Sequence, residues 1–394
     1  MRPASAERAR RLVHVVTHPV TADVLLRGQL AYLREAGFEV TVIASPGEAL
    51  DRVREREGVR TVGIDIARDP APAADAASLA ALLGALRKIG PDVVIASTPK
   101  AGLLGMIAAR LLAVPVRVYL LRGLRLETET GKKRAILGLA ERLASACARD
   151  VVCVSESLQR AFVEAGYAGR EKTCVLGAGS SNGVDVQRFD ATKRRGEAAA
   201  LRESLGLQGR SVIGFIGRMA ADKGIGDLLE ALARLRRERP DVVLLVVGAD
   251  FAGDVDASIS ARLRAAGDAV RCVAHVADTA PYYPLMTVLG FPSLREGFPN
   301  VPLEAAACAV PTVGYRVTGV IDAVVDGSTG TLVQRGDVDG LTRALQRYLA
   351  DPALVARHGE AARERVVERF QRERVWSAWR TWLEERVSSA RDRP

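Results

Sequence analysis

The sequence is poor in the residues that form redox centres, metal sites and nucleic-acid surfaces. Its 394 residues include four histidines and five cysteines, with no C-x-x-C pair and no histidine spacing typical of a metal site. Aromatic residues make up 5% of the chain, and no basic strand carries interleaved aromatic side chains, which argues against binding of single-stranded nucleic acid. We therefore expect the cysteines to be small buried hydrophobic residues: Cys147, Cys153, Cys174, Cys272 and Cys308.

Long hydrophobic runs are also absent. Because a membrane-spanning helix needs about 18 or more consecutive apolar residues, no transmembrane segment is predicted. Residues 12–17 are too few and too polar for the hydrophobic region of a signal peptide, so a cytoplasmic protein is expected. The 56 Lys and Arg residues exceed the 47 Asp and Glu residues, and the net charge of +9 suits an anionic membrane surface or an acidic substrate.

The chain does contain a regular alternation of short Val- and Ile-rich runs with helical patterns. This alternation predicts an α/β fold in which parallel sheets are covered by helices on both faces. Two doubly wound, Rossmann-like units would then face a cleft beyond the carboxyl ends of their strands. The predicted strands form two series, at 12–17, 40–44, 61–66, 93–97, 116–121, 151–154 and 173–176, and at 211–217, 242–248, 270–274, 288–291, 312–315 and 330–333.

The segment 177–210 separates the two series and is rich in glycine, serine and charged residues, which is typical of a linker feeding a short helix. We place the boundary near residues 182–189 and predict domains at 1–185 and 186–371. A final helical segment, 372–394, carries Trp376, Trp379 and Trp382 on one face. We expect these side chains to pack against the first domain rather than to stack on a sugar.

The stretch 290–309 joins a predicted strand to a predicted helix through a loop rich in glycine, proline and asparagine. Asn300 stands at the expected N-cap, with Pro302 in the first turn, so the free N–H groups of the helix start should face the loop. Such a helix start attracts phosphate. Two carboxylates that packing does not require, Glu296 and Glu304, bracket it with seven residues between them.

Within this stretch, Glu296, Gly297, Phe298, Pro299, Asn300 and Glu304 resemble the E-x7-E signature of retaining GT-B glycosyltransferases of family four. The resemblance implies that the first glutamate contacts the donor sugar and the second contacts the nucleotide ribose. Gly217, Arg218 and Lys223, in the first loop of the second unit, resemble the G-R-x4-K-G element of the same family, whose two cations neutralise the donor diphosphate. We predict that all of these residues bind the donor and that Glu296, Arg218 and Lys223 are catalytic.

Segments 97–105, 119–134 and 179–185 are similar to bacterial enzymes that build capsule, exopolysaccharide or O-antigen repeats on a lipid carrier. This resemblance implies retaining transfer of a sugar to a hydroxyl of a polyprenyl-diphosphate-linked glycan, with a UDP-linked N-acetylhexosamine as the expected donor. Domain 1–185 would hold the acceptor and domain 186–371 the nucleotide sugar. No metal or other cofactor is expected, because the leaving diphosphate would be met by Arg218, Lys223 and the helix start at Asn300.

The first unit departs from the family at two places. The loop 17–23 lacks the Gly-Gly pair of many relatives, and Arg122 stands where many relatives carry a histidine. The acceptor-side candidates are His18, Lys100 and Arg122, with helix capping as the alternative role of His18. For Arg122, anion binding and an ion pair with Glu127 or Glu129 are both open, whereas proton acceptance is excluded because arginine stays protonated.

The segment 122–149 mixes basic and apolar residues, including Arg125, Lys132, Lys133 and Arg134. This pattern predicts either an amphipathic helix resting on anionic lipid or a helix packed on its own sheet with a charged outer face.

Two functions other than glycosyl transfer are open as well, since a fold does not fix an activity. They are a nucleotide-sugar epimerase or hydrolase on the same fold, and a sugar-nucleotide-binding protein without turnover.

Overall fold

The computed structural model describes residues 9–391 except 68, 70 and 250–256. The chain divides into two compact units. One is formed by the chain up to Asn182 together with the C-terminal helix from Glu373, and the other by Gly183–Arg372. The first eight residues of the predicted N-terminal domain and the last three of the predicted C-terminal segment lie outside the described residues.

The first unit contains a parallel sheet of seven strands in the order β3-β2-β1-β4-β5-β6-β7. Its strands are β1 Arg10–Val15, β2 Phe38–Ala44, β3 Arg60–Gly63, β4 Val93–Ser97, β5 Val116–Leu121, β6 Asp150–Cys153 and β7 Thr173–Val175. Its helices are α1 Pro19–Leu25, α2 Gln29–Glu35, α3 Glu48–Glu57, α4 Pro72–Ile89, α5 Pro99–Leu111, α6 Gly131–Cys147 and α7 Glu156–Glu164. The strand order reverses between β1 and β4.

The second unit contains a parallel sheet of six strands in the order β10-β9-β8-β11-β12-β13. Its strands are β8 Ser211–Ile216, β9 Val242–Val247, β10 Val270–Val273, β11 Val288–Phe291, β12 Thr312–Tyr315 and β13 Gly330–Val333. Its helices are α8 Arg195–Ser204, α9 Ile225–Leu235, α10 Ala257–Ala265, α11 Asn300–Ala307, α12 Val320–Ala323, α13 Val338–Ala350 and α14 Pro352–Arg369, and α15 Arg372–Arg391 then ends the described chain.

The predicted pair of doubly wound parallel sheets is confirmed, and a strand is present at each of the thirteen predicted places. The near-continuous apolar runs reflect burial on both faces, as in β9, where every side chain is buried. One end differs clearly: β3 stops at Gly63, three residues before the predicted end at residue 66. Gly63 pairs with Ala44, the last residue of β2, so the chain beyond it has no strand to pair with.

The cysteine prediction was wrong at one position. Cys147, Cys153 and Cys308 are buried, and Cys174 is partly buried, but Cys272 is exposed. Cys272 lies on β10, an edge strand that pairs with β9 on one side only. None of the helices within the described residues combines the length and apolar character needed to cross a bilayer.

The C-terminal helix α15 is held to the first unit by its tryptophans. The indole Nε1 of Trp376 donates to Asn182 Oδ1 at 2.7 Å, and the Asn182 amide donates to the Arg27 carbonyl at 2.9 Å. The ring of Trp376 lies so close to Gly28 that a Cβ there would be 2.5 Å from it. Trp379 is also buried, while Trp382 is partly exposed beneath the guanidinium of Arg386.

We predict that Gly28→Ala destabilises the protein more than Gly37→Ala. Both glycines have positive φ, 78° and 91°, but Gly37 has open space around it. The left-handed backbone alone should cost about 1–2 kcal/mol in each variant, and contact with the Trp376 ring should add roughly 1–3 kcal/mol in Gly28→Ala only. Denaturant unfolding of the two variants provides the comparison, and equal losses would argue against the packing of Trp376 on Gly28.

Candidate active site

The two loops identified in the second half of the sequence leave neighbouring strands of one sheet. The second sheet reverses its strand order between β8 and β11. β8 leads into the loop 217–224 and then α9, while β11 leads into the loop 292–299 and then α11. Because carboxyl ends of adjacent parallel strands lie at one edge, both loops meet at the switch point, where open α/β sheets bind ligands.

Hydrogen bonds and a close backbone approach join these loops. Leu294 donates its backbone N–H to the Asp222 carbonyl at 2.9 Å, and the Arg295 guanidinium pairs with the Asp222 carboxylate at 3.3 Å. Gly224, with φ of 68°, lies directly against the Pro292 carbonyl, and a Cβ on it would be 1.9 Å from that oxygen. Glycine is therefore required at position 224 by both its conformation and the available space.

Two of the three predicted catalytic residues contact each other. Lys223 Nζ lies 2.6 Å from Glu296 Oε1, and the hydroxyl of Ser293 donates to the same oxygen at 2.8 Å. Ser293 is completely buried, whereas Lys223 and Glu296 keep 23% and 14% of their side chains exposed. The carboxylate is therefore held in a fixed position at the surface of the switch point by one cation and one hydroxyl.

The third predicted catalytic residue, Arg218, directly follows Gly217 at the end of β8. Gly217 donates its N–H to the Val247 carbonyl at 3.0 Å, which continues the pairing with β9 for one residue beyond the strand. The Arg218 side chain is exposed and forms no hydrogen bond or ion pair with any residue that the structure describes. Its guanidinium can therefore bind an anion without breaking an internal contact.

An aromatic pair holds the loop 296–299 against the rest of the second unit. Phe298 is buried, and its ring centroid lies 5.2 Å from that of Phe370 at the end of α14.

Pro299 is the N-cap residue of α11, and Asn300 is the first helical residue. The predicted N-cap role of Asn300 was therefore wrong by one position. Its Oδ1 accepts no cap bond and is buried without a partner in the described chain.

Glu304 lies one turn into α11 and is mostly buried. The Tyr283 hydroxyl donates to its Oε2 at 2.6 Å, and burial raises the pKa of the Glu304 carboxyl above its usual value despite this hydrogen bond. Arg188 is close enough for its charge to oppose the increase in pKa. Nothing in the sequence connects Tyr283 with Glu304, since the pair forms only when the segment before β11 packs beneath α11.

The acceptor-side candidates of the first unit follow three different strands of its sheet. His18 is exposed and is the N-cap residue of α1, where its Nδ1 accepts from the Val20 N–H at 3.3 Å. Lys100, in the first turn of α5, binds the Asp75 carboxylate at 2.7 Å and also the Asp69 carbonyl. The ammonium group of Lys100 is therefore already neutralised within the first unit.

Arg122 differs from Lys100 because its charge is not paired with any described residue. All three of its guanidinium nitrogens are buried, and none has a hydrogen-bond partner in the described chain. The alternative of an ion pair with Glu127 or Glu129 is contradicted, since Glu129 instead binds Lys133 at 2.7 Å. Burial lowers the pKa of Arg122 to about 10, so it is charged at neutral pH.

Sequence reasoning missed His14, the next-to-last residue of β1, which lies within electrostatic range of Arg122. His14 is buried, and its Nε2 also lacks a partner. Burial, with a smaller contribution from the charge of Arg122, lowers the pKa of His14 to about 3, so the ring is neutral at neutral pH. Its strand pattern alone suggested an ordinary core position.

The described residues contain no cluster of three or more His, Cys, Asp and Glu side chains suited to a metal ion.

Comparison with known proteins identifies the family. A family model described as "Glycosyl transferases group 1" matches residues 210–351, and one described as "Glycosyl transferase 4-like domain" matches residues 21–179. The capsular polysaccharide biosynthesis glycosyltransferase CapM of Staphylococcus aureus is 35% identical over 382 residues, which cover 95% of this chain and 98% of that protein. The chain belongs to the group 1 glycosyltransferase family.

A further relative and a solved structure extend the comparison. The UDP-Gal:alpha-D-GlcNAc-diphosphoundecaprenol alpha-1,3-galactosyltransferase of Escherichia coli is 28% identical over 71% of this chain and 72% of its own. The crystal structure of Anabaena HepE in complex with UDP superimposes with a TM-score of 0.78 over 96% of this chain and 100% of HepE, at 23% identity. The predicted GT-B fold is therefore confirmed.

We predict that Glu304→Gln changes how stability depends on pH. Because the folded-state pKa of Glu304 is raised, the wild type should lose free energy of unfolding as the pH rises from about 4.5 through that pKa. The Gln variant, which cannot ionise, should lack this part of the loss. Denaturant unfolding across this pH range tests the difference, with the exposed Glu360→Gln as control. Identical pH profiles for wild type and Glu304→Gln would contradict the burial of an ionisable carboxyl.

Proposed function

We propose that this protein is a retaining glycosyltransferase that uses a UDP-linked sugar, an N-acetylhexosamine, as its donor. The observation that carries this proposal is the juxtaposition of Lys223 and Glu296, 2.6 Å apart, at the switch point of the second sheet. Arg218 lies on the same loop as Lys223 with its guanidinium uncommitted among the described residues. Two cations on a loop that contacts the loop leading into α11 suit a diphosphate, and the carboxylate suits sugar hydroxyls.

The Lys223–Glu296 contact is compatible with donor binding. An ammonium group has three N–H donors, so Lys223 can keep its bond to Glu296 while donating to a phosphate oxygen. The same contact would then fix the distance between the carboxylate and the diphosphate, which positions the sugar relative to its leaving group. Ser293 holds the carboxylate from the buried side.

In the proposed reaction the bond between the sugar C1 and the UDP oxygen breaks, and a bond between C1 and the acceptor oxygen forms on the same face. The acceptor hydroxyl proton passes to the departing diphosphate oxygen, so no side-chain base is needed. Negative charge grows on the diphosphate as the bond breaks. Arg218, Lys223 and the start of α11 would stabilise this charge, a role that we assign to them instead of a metal ion.

We further propose that the acceptor is a polyprenyl-diphosphate-linked glycan used in cell-surface polysaccharide synthesis, at the inner face of the cytoplasmic membrane. Support comes from the similarity to the Staphylococcus aureus capsular enzyme along nearly the whole chain and from the diphosphoundecaprenol acceptor named for the Escherichia coli enzyme. The Escherichia coli donor is UDP-Gal, so UDP-galactose belongs in the donor panel beside the UDP-N-acetylhexosamines.

We predict that Arg218→Ala and Lys223→Ala each weaken UDP binding by about tenfold to a hundredfold, because each removes a charge-assisted contact worth about 1.5–3 kcal/mol. Glu296→Gln should lower kcat more than UDP affinity, since its proposed partner is the sugar. Calorimetry with UDP, together with turnover on a polyprenyl-diphosphate sugar, measures both effects. The exposed Arg237→Ala is the matched control.

Unchanged UDP affinity in both cation variants would place the donor elsewhere and reject the proposed site. The products formed from a UDP-sugar without acceptor distinguish glycosyl transfer from the alternative functions. Free sugar or an epimerised nucleotide sugar, formed without acceptor, would indicate a hydrolase or epimerase. UDP-sugar binding without any product would indicate a binding protein.

The outer face of α6 supports peripheral contact with a membrane. Ile136, Leu139 and Leu143 lie along one side of this helix and are 59%, 67% and 44% exposed. Three of the four cations predicted to meet lipid have internal partners. Lys133 binds Glu129, Arg134 donates to the Leu126 carbonyl, and Arg125 binds Asp69. Only Lys132 of the four is exposed with no partner in the described chain, so the apolar side chains become the main proposed contact.

We predict that the triple variant Ile136→Gln, Leu139→Gln and Leu143→Gln lowers binding to anionic vesicles by at least about tenfold, since each apolar side chain can lose roughly 1 kcal/mol or more of burial in lipid. Sedimentation with vesicles containing phosphatidylglycerol measures the loss. Ile321→Gln, an exposed isoleucine of α12, serves as control. If wild-type protein fails to sediment with these vesicles, or the triple variant sediments equally, the membrane contact is rejected.

A further inference from the structure

Arg122 lies at the edge of the first sheet where a ligand is expected. The strand order of this sheet reverses between β1 and β4, and β5 is the next strand beyond β4. Thr17 follows β1, Thr98 follows β4 and Arg122 follows β5, so the three residues belong to loops at the same carboxyl edge. The Thr17 and Thr98 hydroxyls lie 2.7 Å apart and tie the first two loops together.

The guanidinium of Arg122 differs from that of Arg117, which lies on β5. Arg117 donates to the Cys147 carbonyl at 2.9 Å and to the Val114 carbonyl at 2.7 Å. Arg122 donates to nothing among the described residues, although its nitrogens are buried. A buried cation without an acceptor is strongly unfavourable, so this position is not explained by the stability of the fold.

The surroundings of Arg122 offer it no compensating charge. His14, close enough for the charge of Arg122 to lower its pKa, is neutral at neutral pH and has an unpartnered ring nitrogen of its own. The two side chains come from β1 and from the end of β5, on either side of β4. A positively charged fork and a neutral imidazole, each with buried nitrogens that lack a described partner, thus lie within electrostatic range of each other.

We propose that Arg122 and His14 form a binding site for an oxyanion of the acceptor substrate. The guanidinium presents paired N–H groups that match two oxygens of a phosphate or carboxylate, and His14 in its Nε2–H form donates to the same group. The oxyanion belongs either to the diphosphate of a lipid carrier or to the carboxylate of an acidic sugar. This inference rests on the proposed function, because it assigns the acceptor to the first unit.

Replacing Arg122 should affect the stability of the free protein differently from replacing an arginine that is hydrogen-bonded within the fold. Removing an unpaired buried charge should stabilise the free protein, so Arg122→Met should raise Tm by about 2 °C or more. Arg117→Met, which removes a hydrogen-bonded guanidinium from β5, should lower Tm. Anion binding should raise the Tm of the wild type and not that of Arg122→Met, since a ligand that binds only the folded state stabilises it.

The experiment measures Tm of the full chain in saturating UDP, with inorganic pyrophosphate in one series and glucuronate in the other. Saturating UDP keeps pyrophosphate away from the donor site. A rise of Tm with pyrophosphate indicates the carrier diphosphate, and a rise with glucuronate indicates an acidic sugar. Arg122→Lys should keep part of the rise, because it retains the charge without the paired N–H groups.

A second measurement needs no variant at Arg122. With histidine labelled by ¹³C, the ring signal of His14, assigned through His14→Gln, should shift when the effective anion is added to wild-type protein. The site is rejected if neither anion raises Tm, if Arg122→Met responds like the wild type, if Arg122→Met is destabilised as Arg117→Met is, or if the His14 signal stays unchanged.

Calorimetric UDP binding to the same samples separates the two proposals. If UDP does not bind, the proposed function fails. If UDP binds but no anion response depends on Arg122, only the oxyanion site fails.

Discussion

The ion pair between Lys223 and Glu296 is the interaction on which the candidate site depends. It joins residues 73 positions apart in the chain, and it forms because their loops leave adjacent parallel strands at a switch point. The backbone contact between Gly224 and Pro292 and the bond from Leu294 to Asp222 fix the two loops before any ligand is present. A preformed arrangement of this kind lowers the conformational entropy that binding must remove.

Charged groups elsewhere in the molecule show how burial is normally compensated. In the first unit, Asp23 binds both Arg52 and Arg56, and the buried carboxylate of Glu57 accepts from the Gly28 and Ala31 backbone N–H groups. Lys100 is neutralised by Asp75. Against this background, Arg122 stands out because its buried guanidinium has no acceptor in the described residues. The contrast supports a ligand role for Arg122 on physical grounds independent of family resemblance.

Much of the architecture could be predicted because it follows from local pattern. Val- and Ile-rich runs placed a strand at all thirteen positions, since side chains buried on both faces of a parallel sheet must be apolar. Glu296 and Glu304 could be singled out because they bracket a helix start where packing does not require carboxylates. Arg218 and Lys223 were singled out by their resemblance to the G-R-x4-K-G element of the family. The errors were small and local, as at Asn300, where the helix begins one residue earlier than a capping role for Asn300 requires.

The sequence by itself determined the two sheets, the order of their elements and the loops that carry the polar side chains. Only the tertiary structure decided which polar groups are paired. Lys100 and Arg122 look alike in sequence, each a cation after a buried strand, but one meets Asp75 and the other meets no described acceptor. The same holds for the hydrogen bond between Tyr283 and Glu304, and for His14, whose Nε2 has no described partner. Pairing depends on distances between segments remote in the chain, and periodicity along the chain carries no information about those distances.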